Sequence, residues 1–525
     1  MNSAYCLISS GDLHFLPCPT DTDAVNSQPP TARLADSYSD FLNNRSMISL
    51  TNDKFLQTPG LKPGLASAIS AENSSSDSLS SFGYPSEVNL HQTISERQIS
   101  APTYPIIRGT PAESHVDPKL ENLLSHYSTH SMLLPEEFVA PSNLGSPAEQ
   151  QAVITELLFK VFPHWRSSST STIEIKQLTG GITNMLLSCK RTTLGSRKPE
   201  IVLVRTYGRG TDLIIDRDRE FVSQLLLNSL SLAPPIYAKF GNGLVYGYIP
   251  GRSLLSHEMS HPLLYPLIAQ RLGQWHSLLS DSEIEESITK LKRFNTKPGD
   301  KRENTPRNIW DLMSSWIDIV PENDGLCGVC KDNRDIQEAP EGASLKQVLR
   351  KEMEWVLSEI GSKSPFATCH CDLLSGNIII TQSLSKALQV GLREGLSHPP
   401  QKDDLTFIDY EYMMPGPRAF DISNHFMEWQ GFECEKSRIP EPTPQNSLLR
   451  KWSKAYLSSS GSDVSSQEID ALIEEIALFY GMPGFYWGIW AGIQSDISLI
   501  DFDYSGYSCT RLGEYWDWKR KYLKK

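Results

Sequence analysis

Two short segments in the second half of the chain carry the residue types best suited to chemistry. Residues 370–377 read HCDLLSGN, an H-x-D-x-x-x-x-N pattern, and residues 407–410 read FIDY. Phosphoryl transfer needs one carboxylate that accepts the proton of the attacking hydroxyl, and an amide and a second carboxylate that hold Mg²⁺ against the phosphate oxygens. The pattern therefore predicts Asp372 as the general base, and Asn377 and Asp409 as ligands of Mg²⁺.

Each of these segments has a plain structural explanation when taken alone. Asp372 precedes two leucines and could cap a helix, and Asp409 could simply end a strand. Their joint occurrence in this order favours the catalytic interpretation, in which His370 supports the loop rather than reacts. Both segments are expected to be loops at strand ends, where a scaffold can aim side chains at a common point.

A glycine turn upstream suits the binding of a polyphosphate. Residues 178–184 read LTGGITN, and Gly180 and Gly181 would let the backbone approach phosphate oxygens with its amides exposed. Gly-Gly hairpins are common, so the turn alone is a weak indicator. It gains weight from Arg205, which ends a strand where protein kinases place a phosphate-contacting lysine. Glu220 is expected to pair with Arg205, although a surface ion pair would contribute little.

The C-terminal part of the chain is rich in aromatic residues. Trp487 and Trp490 are three positions apart, so they share one face of the expected helix. Other aromatic residues follow: Phe502, Tyr504, Tyr507, Trp516 and Trp518. Aromatic and acidic walls suit an ammonium group through cation–π interaction and ion pairing. An ordinary aromatic core explains the same pattern, and would be preferred without the rest of the chain.

Composition excludes several classes of protein. The chain has 525 residues, 39% of them hydrophobic, and a net charge of −13 without a long basic block, which argues against nucleic acid or an anionic membrane as the main partner. Nine scattered cysteines argue against a disulfide framework and favour the reducing cytoplasm. Cys327 and Cys330 are expected to be free thiols in a loop, because no second pair stands at zinc spacing.

Neither a signal peptide nor a membrane span is expected. Residues 1–20 lack a basic segment followed by an apolar run. Residues 476–493 carry no charge, but Gly481, Pro483 and Gly484 interrupt them, and a spanning helix needs about 20 mostly apolar residues. We expect this stretch to be a buried helical hairpin and the chain not to be an integral membrane protein.

The chain divides into a tail and two lobes. Residues 1–105 are rich in Ser, Thr, Asn and Pro without an apolar period, which predicts a disordered extension. Residues 106–145 are a transition without an assignment. A small α+β lobe is expected over 146–252, and a larger, helical lobe over 253–525.

Hydrophobic periodicity predicts the elements of both lobes. In the small lobe, we expect helices over 152–162 and 218–230, and strands over 173–175, 185–187, 201–204 and 243–249. In the large lobe, we expect helices over 263–279 and 345–360, strands over 378–380 and 405–408, a polar and loop-like stretch over 283–343, and an exposed insertion over 391–404.

Taken together, these segments resemble the choline/ethanolamine kinase family, with long insertions, over roughly residues 149–525. The longest family signature is similar to 408–412 followed by 419–429, and this stretch is highly specific. The other similar segments are the glycine turn 179–184, the strand end 204–208, the catalytic loop 370–377 and the tail 487–507.

The resemblance implies a two-lobed, protein-kinase-like α+β fold with ATP and Mg²⁺ in the cleft. It also implies the base role of Asp372 and the metal role of Asp409. The residues expected at the nucleotide are Gly180, Gly181, Thr183, Asn184, Arg205, Glu220 and Tyr248. Those expected at the amino-alcohol are Tyr412, Glu428, Trp487, Trp490, Phe502 and Tyr507. Family members are often homodimers, but the sequence does not indicate which residues would form the dimer interface.

The chain departs from the family pattern at three positions. Cys371 stands where the family usually has Asn, and Ser423 replaces a common Gly. Gly247 stands in the hinge strand where an acid or amide is usual, which changes little because backbone groups read the adenine there.

Residues near the amine site favour ethanolamine over choline. Residues 373–374 and 217–220, LL and RDRE, resemble the ethanolamine branch. Residues 430–435 read QGFECE, polar and acidic, where choline kinases carry more aromatic residues. A trimethylammonium group gains from an aromatic box, whereas a primary ammonium donates hydrogen bonds to carboxylates. We therefore predict an ethanolamine kinase, the first step towards phosphatidylethanolamine.

Other functions remain as alternatives. A choline kinase or a dual enzyme is the nearest one. An aminoglycoside-type phosphotransferase is disfavoured by residues 421–425 and 487–490. A pseudokinase that only binds nucleotide or a partner is disfavoured because Asp372, Asn377 and Asp409 are all present.

Overall fold

The structure is a computed structural model. It describes residues 131–134, 137, 147–166, 171–178, 184–196, 198–208, 211, 214–295, 306–390, 399–431, 435–498 and 502–524. The tail predicted over 1–105 and most of the transition over 106–145 lie outside the described residues.

The small lobe is built on a six-stranded sheet. Its strands are β1 (Met132–Leu133), β2 (Ser171–Leu178), β3 (Asn184–Thr193), β4 (Glu200–Tyr207), β5 (Ile236–Phe240) and β6 (Gly243–Gly247). The order across the sheet is β1-β5-β6-β4-β3-β2, with β1 parallel to β5 and the other pairs antiparallel. Arg205 of β4 lies opposite Leu186 and Leu244, so the neighbouring strands flank it on both sides.

Two helices complete this lobe. The first is α1 (Pro147–Val161), whose Leu157 and Leu158 pack into a core with Ile175 and Val204 of the sheet. The second, α2 (Arg217–Ser229), begins after Asp216, whose carboxylate accepts hydrogen bonds from two backbone amides of the first turn. The elements predicted for 146–252 are therefore present, but α1 begins five residues earlier, β3 extends to Thr193, and β5 was not predicted.

The large lobe is mainly helical. Its helices are α3 (Tyr265–Leu278), α4 (Asp281–Asn295), α5 (Ile309–Ile319), α6 (Asp324–Asp332), α7 (Leu345–Ile360), α8 (Gln382–Val390), α9 (Arg418–Met427), α10 (Ser447–Leu457), α11 (Ser466–Phe479), α12 (Met482–Ile497) and α13 (Tyr504–Tyr522).

The chain also forms two small antiparallel sheets. One has the order β10-β9-β7 and consists of β7 (Arg252–Ser253), β9 (Ile378–Ile380) and β10 (Leu405–Phe407). In the other, β8 (Phe366–Cys369) pairs with β11 (Met414–Pro417). The loops that leave β8 and β10 are the two segments predicted to be catalytic.

The prediction of a loop-like stretch over 283–343 is wrong. These residues include most of α4 and all of α5 and α6. The buried residues of α5 recur at helical spacing, although polar residues stand between them in the sequence. These buried residues are Ile309, Trp310, Leu312, Met313, Trp316 and Ile317. Asn308 caps this helix by accepting hydrogen bonds from two amides.

Two further expectations need correction. Cys327 and Cys330 are free thiols, as expected, but they lie on α6 rather than in a loop. The insertion predicted over 391–404 is only partly exposed where it is described, because it ends in a 3₁₀ turn (Lys402–Asp404) with Asp404 buried.

The uncharged stretch 476–493 is a buried pair of helices, as predicted. The chain breaks at Gly481 between α11 and α12. Glycines let α12 lie close to α13, since a Cβ at Gly484 would stand 2.5 Å from the Arg511 carbonyl oxygen. Among the described residues, no helix combines the length and apolar character that crossing a bilayer requires.

A buried ion pair joins α7 to α13. Lys519 Nζ lies 2.6 Å from Glu352 Oε2, and both side chains are fully buried. The Tyr515 hydroxyl donates to the same carboxylate oxygen at 2.7 Å. Burial removes both charges from water, so each depends on the other.

Replacing Lys519 by Met should lower the free energy of unfolding by about 3–5 kcal/mol, because Glu352 would remain as an unpaired buried charge. Urea unfolding measures this. The double variant Lys519→Met/Glu352→Gln should recover at least half of the loss, since a neutral amide still accepts from Tyr515. Arg350→Met, at an exposed pair, is the control and should cost about 1 kcal/mol or less. Equal losses in Lys519→Met and Arg350→Met would contradict the expectation.

Candidate active site

The carboxylate of Asp421 anchors the loop that follows β8. Its two oxygens accept the backbone amides of His370 and Cys371, each at 2.8 Å. His370 is buried, and its Nε2 donates to the Ile408 carbonyl oxygen at 3.1 Å. His370 thus ties this loop to the one after β10, as the supporting role predicted for it requires.

Two residues of these loops have left-handed backbone conformations. Cys371 has φ +62° and Asp409 has φ +67°. Side chains other than glycine, asparagine and aspartate rarely adopt this region, and such strain concentrates at functional sites. Asparagine, which the family resemblance leads one to expect at 371, would adopt this conformation more readily than cysteine does.

Asn377 orients the predicted base. Its Nδ2 donates to the Asp372 carbonyl oxygen at 2.7 Å and to Asp372 Oδ2 at 3.2 Å, and both residues are buried. The backbone amide of Ile408 donates to the Asn377 carbonyl oxygen, which brings Asp409 alongside. The structure therefore gathers Asp372, Asn377 and Asp409 at adjoining strand ends.

The same residues form a donor set that suits Mg²⁺. Asn377 Oδ1 is buried and accepts no hydrogen bond from the described residues. Asp409, also buried, adds a carboxylate. Mg²⁺ prefers such oxygen ligands, typically a few from the protein completed by phosphate oxygens and water.

Arg205 belongs to a buried cluster of charges that joins the two lobes. Its Nη1 donates to Glu220 Oε1 at 2.8 Å, and its guanidinium also reaches Asp409 Oδ1 at 3.5 Å and the carboxylate of Glu411. Arg217 Nη1 donates to Glu220 Oε2 at 3.0 Å and to Glu411 Oε2 at 3.1 Å. The predicted pairing of Arg205 with Glu220 is present, and it is buried rather than a surface pair.

These charges hold Arg205 firmly in its ionised form. Burial acts to lower the pKa of Arg205, but the carboxylates of Glu220, Asp409 and Glu411 outweigh it and hold the pKa well above the usual value. Sequence reasoning missed Glu411 and Arg217 as partners. The available signal for Glu411 was an acidic residue two positions after a predicted metal ligand.

A cleft of about 570 Å³, its open mouth included, lies between the sheet and the large lobe. Apolar side chains from both lobes line it, namely Leu186 and Leu203 on one side and Ile379 and Ile408 on the other. Tyr248 also lines this cleft, as do Arg205 and Asp409. A flat slot with charged residues in its wall suits a nucleotide base and its phosphates.

Most of the predicted phosphate turn lies outside the described residues, including Gly180, Gly181 and Thr183. Asn184 begins β3, and its side chain also lies outside.

The predicted aromatic residues are linked to the catalytic loop. The rings of Trp487 and Trp490 lie 5.3 Å apart, and Trp490 Nε1 donates to the Tyr412 hydroxyl at 3.0 Å. Trp487 Nε1 donates to Asn424 Oδ1 at 2.7 Å, and Asn424 Nδ2 in turn donates to the Cys371 carbonyl oxygen at 2.7 Å. One chain of hydrogen bonds therefore joins the tryptophans to the residue before Asp372. Sequence reasoning missed Asn424.

The aromatic chain continues into α13. The ring of Trp490 lies 5.9 Å from that of Tyr504, and the ring of Phe502 lies 4.8 Å from Tyr504 and 5.8 Å from Tyr507. Tyr504 links the predicted residues, although it was not among them. Five of the six residues expected at the amino-alcohol thus lie along one series of contacts.

Glu428, the sixth, follows α9 and is buried. Burial raises the pKa of its carboxyl group, and the charge of Arg511 on α13 opposes that rise. The Arg511 guanidinium carbon lies 5.8 Å from the centre of the Tyr507 ring. Arg511 therefore lies beside one of the predicted aromatic residues, and its charge acts on Glu428.

Comparisons with known proteins agree with this geometry. A family model described as Choline/ethanolamine kinase matches residues 175–516, from β2 to α13. Ethanolamine kinase 1 of Mus musculus is 32% identical over 370 residues, which cover 69% of this chain and 88% of the mouse protein. The human Ethanolamine kinase 1 is 31% identical over 370 residues, covering 69% of this chain and 70% of that protein. The solved Plasmodium vivax ethanolamine kinase has 26% identity and a TM-score of 0.51, covering 76% of this chain and 94% of that one.

His425 lies behind the catalytic loop as a buried neutral imidazole. Its Nδ1 donates to the Leu373 carbonyl oxygen at 3.0 Å, and its Nε2 accepts from Trp429 Nε1 at 3.2 Å. Burial lowers the pKa of His425 to about 4. Protonation of Nε2 would both charge the ring inside the core and break the bond from Trp429.

We expect the free energy of unfolding to fall as the pH drops from about 6.5 towards 4. In this range His425 is protonated in the unfolded chain but stays neutral in the folded protein. The contribution is fully present above pH 6.5 and amounts to about 3 kcal/mol per histidine of this kind. Urea midpoints between pH 8 and 4.5 measure it. His425→Gln should remove about one proton from the pH slope. An unchanged slope in this variant would contradict the assignment.

Proposed function

Because the chain belongs to the choline/ethanolamine kinase family, we propose that it transfers the γ-phosphoryl group of ATP to the hydroxyl of ethanolamine. The observation that carries the proposal is the buried group of Asp372, Asn377 and Asp409. It lies between a cleft suited to a nucleotide and an aromatic cluster bonded to the same loop. The ethanolamine kinases among its relatives support the choice of substrate.

Asp372 is the general base in this proposal. The substrate oxygen attacks the γ-phosphorus, its proton passes to the Asp372 carboxylate, and ADP leaves with the bridging oxygen. The amide of Asn377 donates to Asp372 Oδ2 and so fixes the direction of the carboxylate. Positioning of this kind supplies most of the catalysis in phosphoryl transfer, since the protein has little covalent chemistry to perform.

Asn377 and Asp409 would hold Mg²⁺, which when bound neutralises charge on the phosphate oxygens. Arg205 stands beside Asp409 and supplies a permanent positive charge at the phosphate end of the cleft. Adenine would lie between the apolar side chains of the two lobes, against the hinge residues 246–249. The glycine turn 179–184 would cover the phosphates.

The amine site consists of the aromatic residues around Trp487 and Trp490 together with Glu428. A primary ammonium needs hydrogen-bond acceptors, and Glu428 supplies a buried carboxylate. The aromatic rings would also suit a trimethylammonium group, so choline is the competing substrate.

We also propose that the reaction takes place in the cytoplasm. The free cysteines of the described residues support a cytoplasmic location. A homodimer stays a prediction from the family resemblance.

The substrate is tested by ADP release from Mg²⁺-ATP with ethanolamine or choline at equal concentration, with ATP alone as the background. We expect kcat/KM to be at least about tenfold higher for ethanolamine, which corresponds to about 1.4 kcal/mol of preferential transition-state binding. A preference for choline would overturn the choice of substrate but not the kinase assignment. Background release with both amines would favour the pseudokinase alternative.

Asp372→Ala should lower kcat by about 10²–10⁴-fold, since the attacking hydroxyl loses its proton acceptor. ATP affinity, measured by calorimetry, should stay within a few-fold of the native value. Asp496→Asn, which changes an exposed carboxylate at the end of α12, is the matched control and should leave kcat unchanged. Near-normal turnover in Asp372→Ala would remove this residue from the base role.

A further inference from the structure

Gln224 places a neutral amide in the wall of the cleft proposed for the nucleotide. Its side chain on α2 is 4% exposed and lines the cleft. Its Nε2 is buried and has no hydrogen-bond partner within the part of the chain that the structure describes. A buried amide donor without a partner lowers the stability of the folded protein. A ligand that brings a hydrogen-bond acceptor into the cleft would supply the missing partner.

The helix α2 determines where along the cleft this amide lies. Gln224 stands four positions after Glu220, so both side chains lie on the same face of the helix. Glu220 accepts a hydrogen bond from Arg205, which marks the phosphate end of the cleft. In the other direction, Gln224 shares the wall with Pro234, whose Cβ would lie 3.4 Å from a Cβ at Gly247 of the hinge. The amide therefore belongs to the part of the wall between the phosphate end and the hinge, where the base would lie.

The walls above and below the base would be apolar. Four aliphatic side chains supply them, namely Leu186 and Leu203 from the sheet and Ile379 and Ile408 from the large lobe. Such contacts hold a flat ring, whereas a few polar groups at its edges fix its orientation and provide specificity. The backbone of the hinge, residues 246–249, offers amide and carbonyl groups that can pair with the N1–N6 edge of adenine. The N6–N7 edge is then left for a side chain deeper in the cleft.

A glutamine amide matches that edge. Its carbonyl oxygen can accept from the N6 amino group of adenine while its Nε2 donates to N7, which is how glutamine recognises adenine in nucleic acids. Guanine carries an acceptor oxygen at position 6, which would face the carbonyl oxygen of the glutamine. The amide is neutral, so it can stay buried in this apolar wall without a counter-charge.

We propose that Gln224 is a specificity-determining residue that reads the N6–N7 edge of the adenine base, with its Nε2 donating to N7. This inference deepens the proposed function and rests on it in one respect, that ATP is the nucleotide bound in this cleft. It concerns the binding of the nucleotide alone and involves neither the amine nor the transfer step at Asp372.

The test compares ATP with 7-deaza-ATP, in which a C–H group replaces N7 and the rest of the molecule is unchanged. Calorimetry measures the binding of each nucleotide to the full chain, with Mg²⁺ and without an amine. The native chain should bind 7-deaza-ATP about tenfold more weakly than ATP, since Gln224 Nε2 would remain without a partner. In Gln224→Leu, the two nucleotides should bind within about twofold of each other, and ATP about tenfold more weakly than in the native chain.

Gln224→Leu should also raise the urea midpoint of the nucleotide-free protein, because leucine has a similar size and removes the unpartnered buried donor. A variant that gains stability while it loses ATP affinity has not suffered a general loss of packing. Gln467→Leu changes an exposed glutamine at the start of α11 and is the matched control. It should change neither the two affinities nor the urea midpoint. If Gln224→Leu does not fold, Gln224→Met, with an unbranched side chain of similar length, takes its place.

The proposal is overturned if the native chain binds ATP and 7-deaza-ATP equally well. It is also overturned if Gln224→Leu keeps the native preference for ATP, whatever its overall affinity. If the native chain shows this preference but turns over neither amine, the phosphoryl transfer is overturned and the assignment of Gln224 stands. A native chain that binds neither nucleotide would overturn the proposed function, and this inference with it.

Discussion

The catalytic loop depends on one buried carboxylate, that of Asp421. Both of its oxygens accept backbone amides from the loop, and His276 Nε2 lies 2.9 Å from one of them. Burial acts to raise the pKa of Asp421, but these hydrogen bonds and the neighbouring histidines outweigh it and lower the pKa. An ionised Asp421 can hold two amides at once, which stabilises the left-handed turn at Cys371 and fixes the backbone next to Asp372.

The aromatic half of the site is attached to the same turn. Asn424 stands one helical turn after Asp421 on α9, and it bridges the Cys371 carbonyl oxygen and the indole of Trp487. The proposed base and the proposed amine site are therefore positioned by one helix. A small rotation of α9 would displace both, and misplacement by about 1 Å can cost on the order of 100-fold in rate.

The charge cluster between the lobes serves orientation rather than stability. Arg205, Arg217, Glu220 and Glu411 are taken out of water together, and the desolvation of buried ion pairs offsets much of their attraction. The cluster fixes the orientation of the small lobe relative to the large lobe, since Glu411 of the large lobe accepts hydrogen bonds from arginines on both β4 and α2. The sheet that carries Arg205 is thereby held against the loop that carries Asp409.

Much of the fold and of the candidate site could be predicted from the sequence, because both depend on residues that are close together in the chain. The order and spacing of Asp372, Asn377 and Asp409 predict a phosphoryl-transfer site, and runs of apolar residues predict most strands of the small lobe. The family resemblance extended this to the aromatic tail. The failure over 283–343 has a local cause as well, since the polar residues that cover α5 obscured its apolar period.

Only the tertiary structure decided which charges meet. Lys519 and Glu352 are 167 positions apart in the chain, and Arg205 and Glu411 are 206 apart, so no spacing rule connects them. Whether Glu220 formed a surface pair or a buried one was likewise open until burial was known. Chemistry that depends on residue types at short spacing can be predicted from the sequence. The pKa values of buried groups such as Glu428 depend on burial and distance, which exist only in the folded chain.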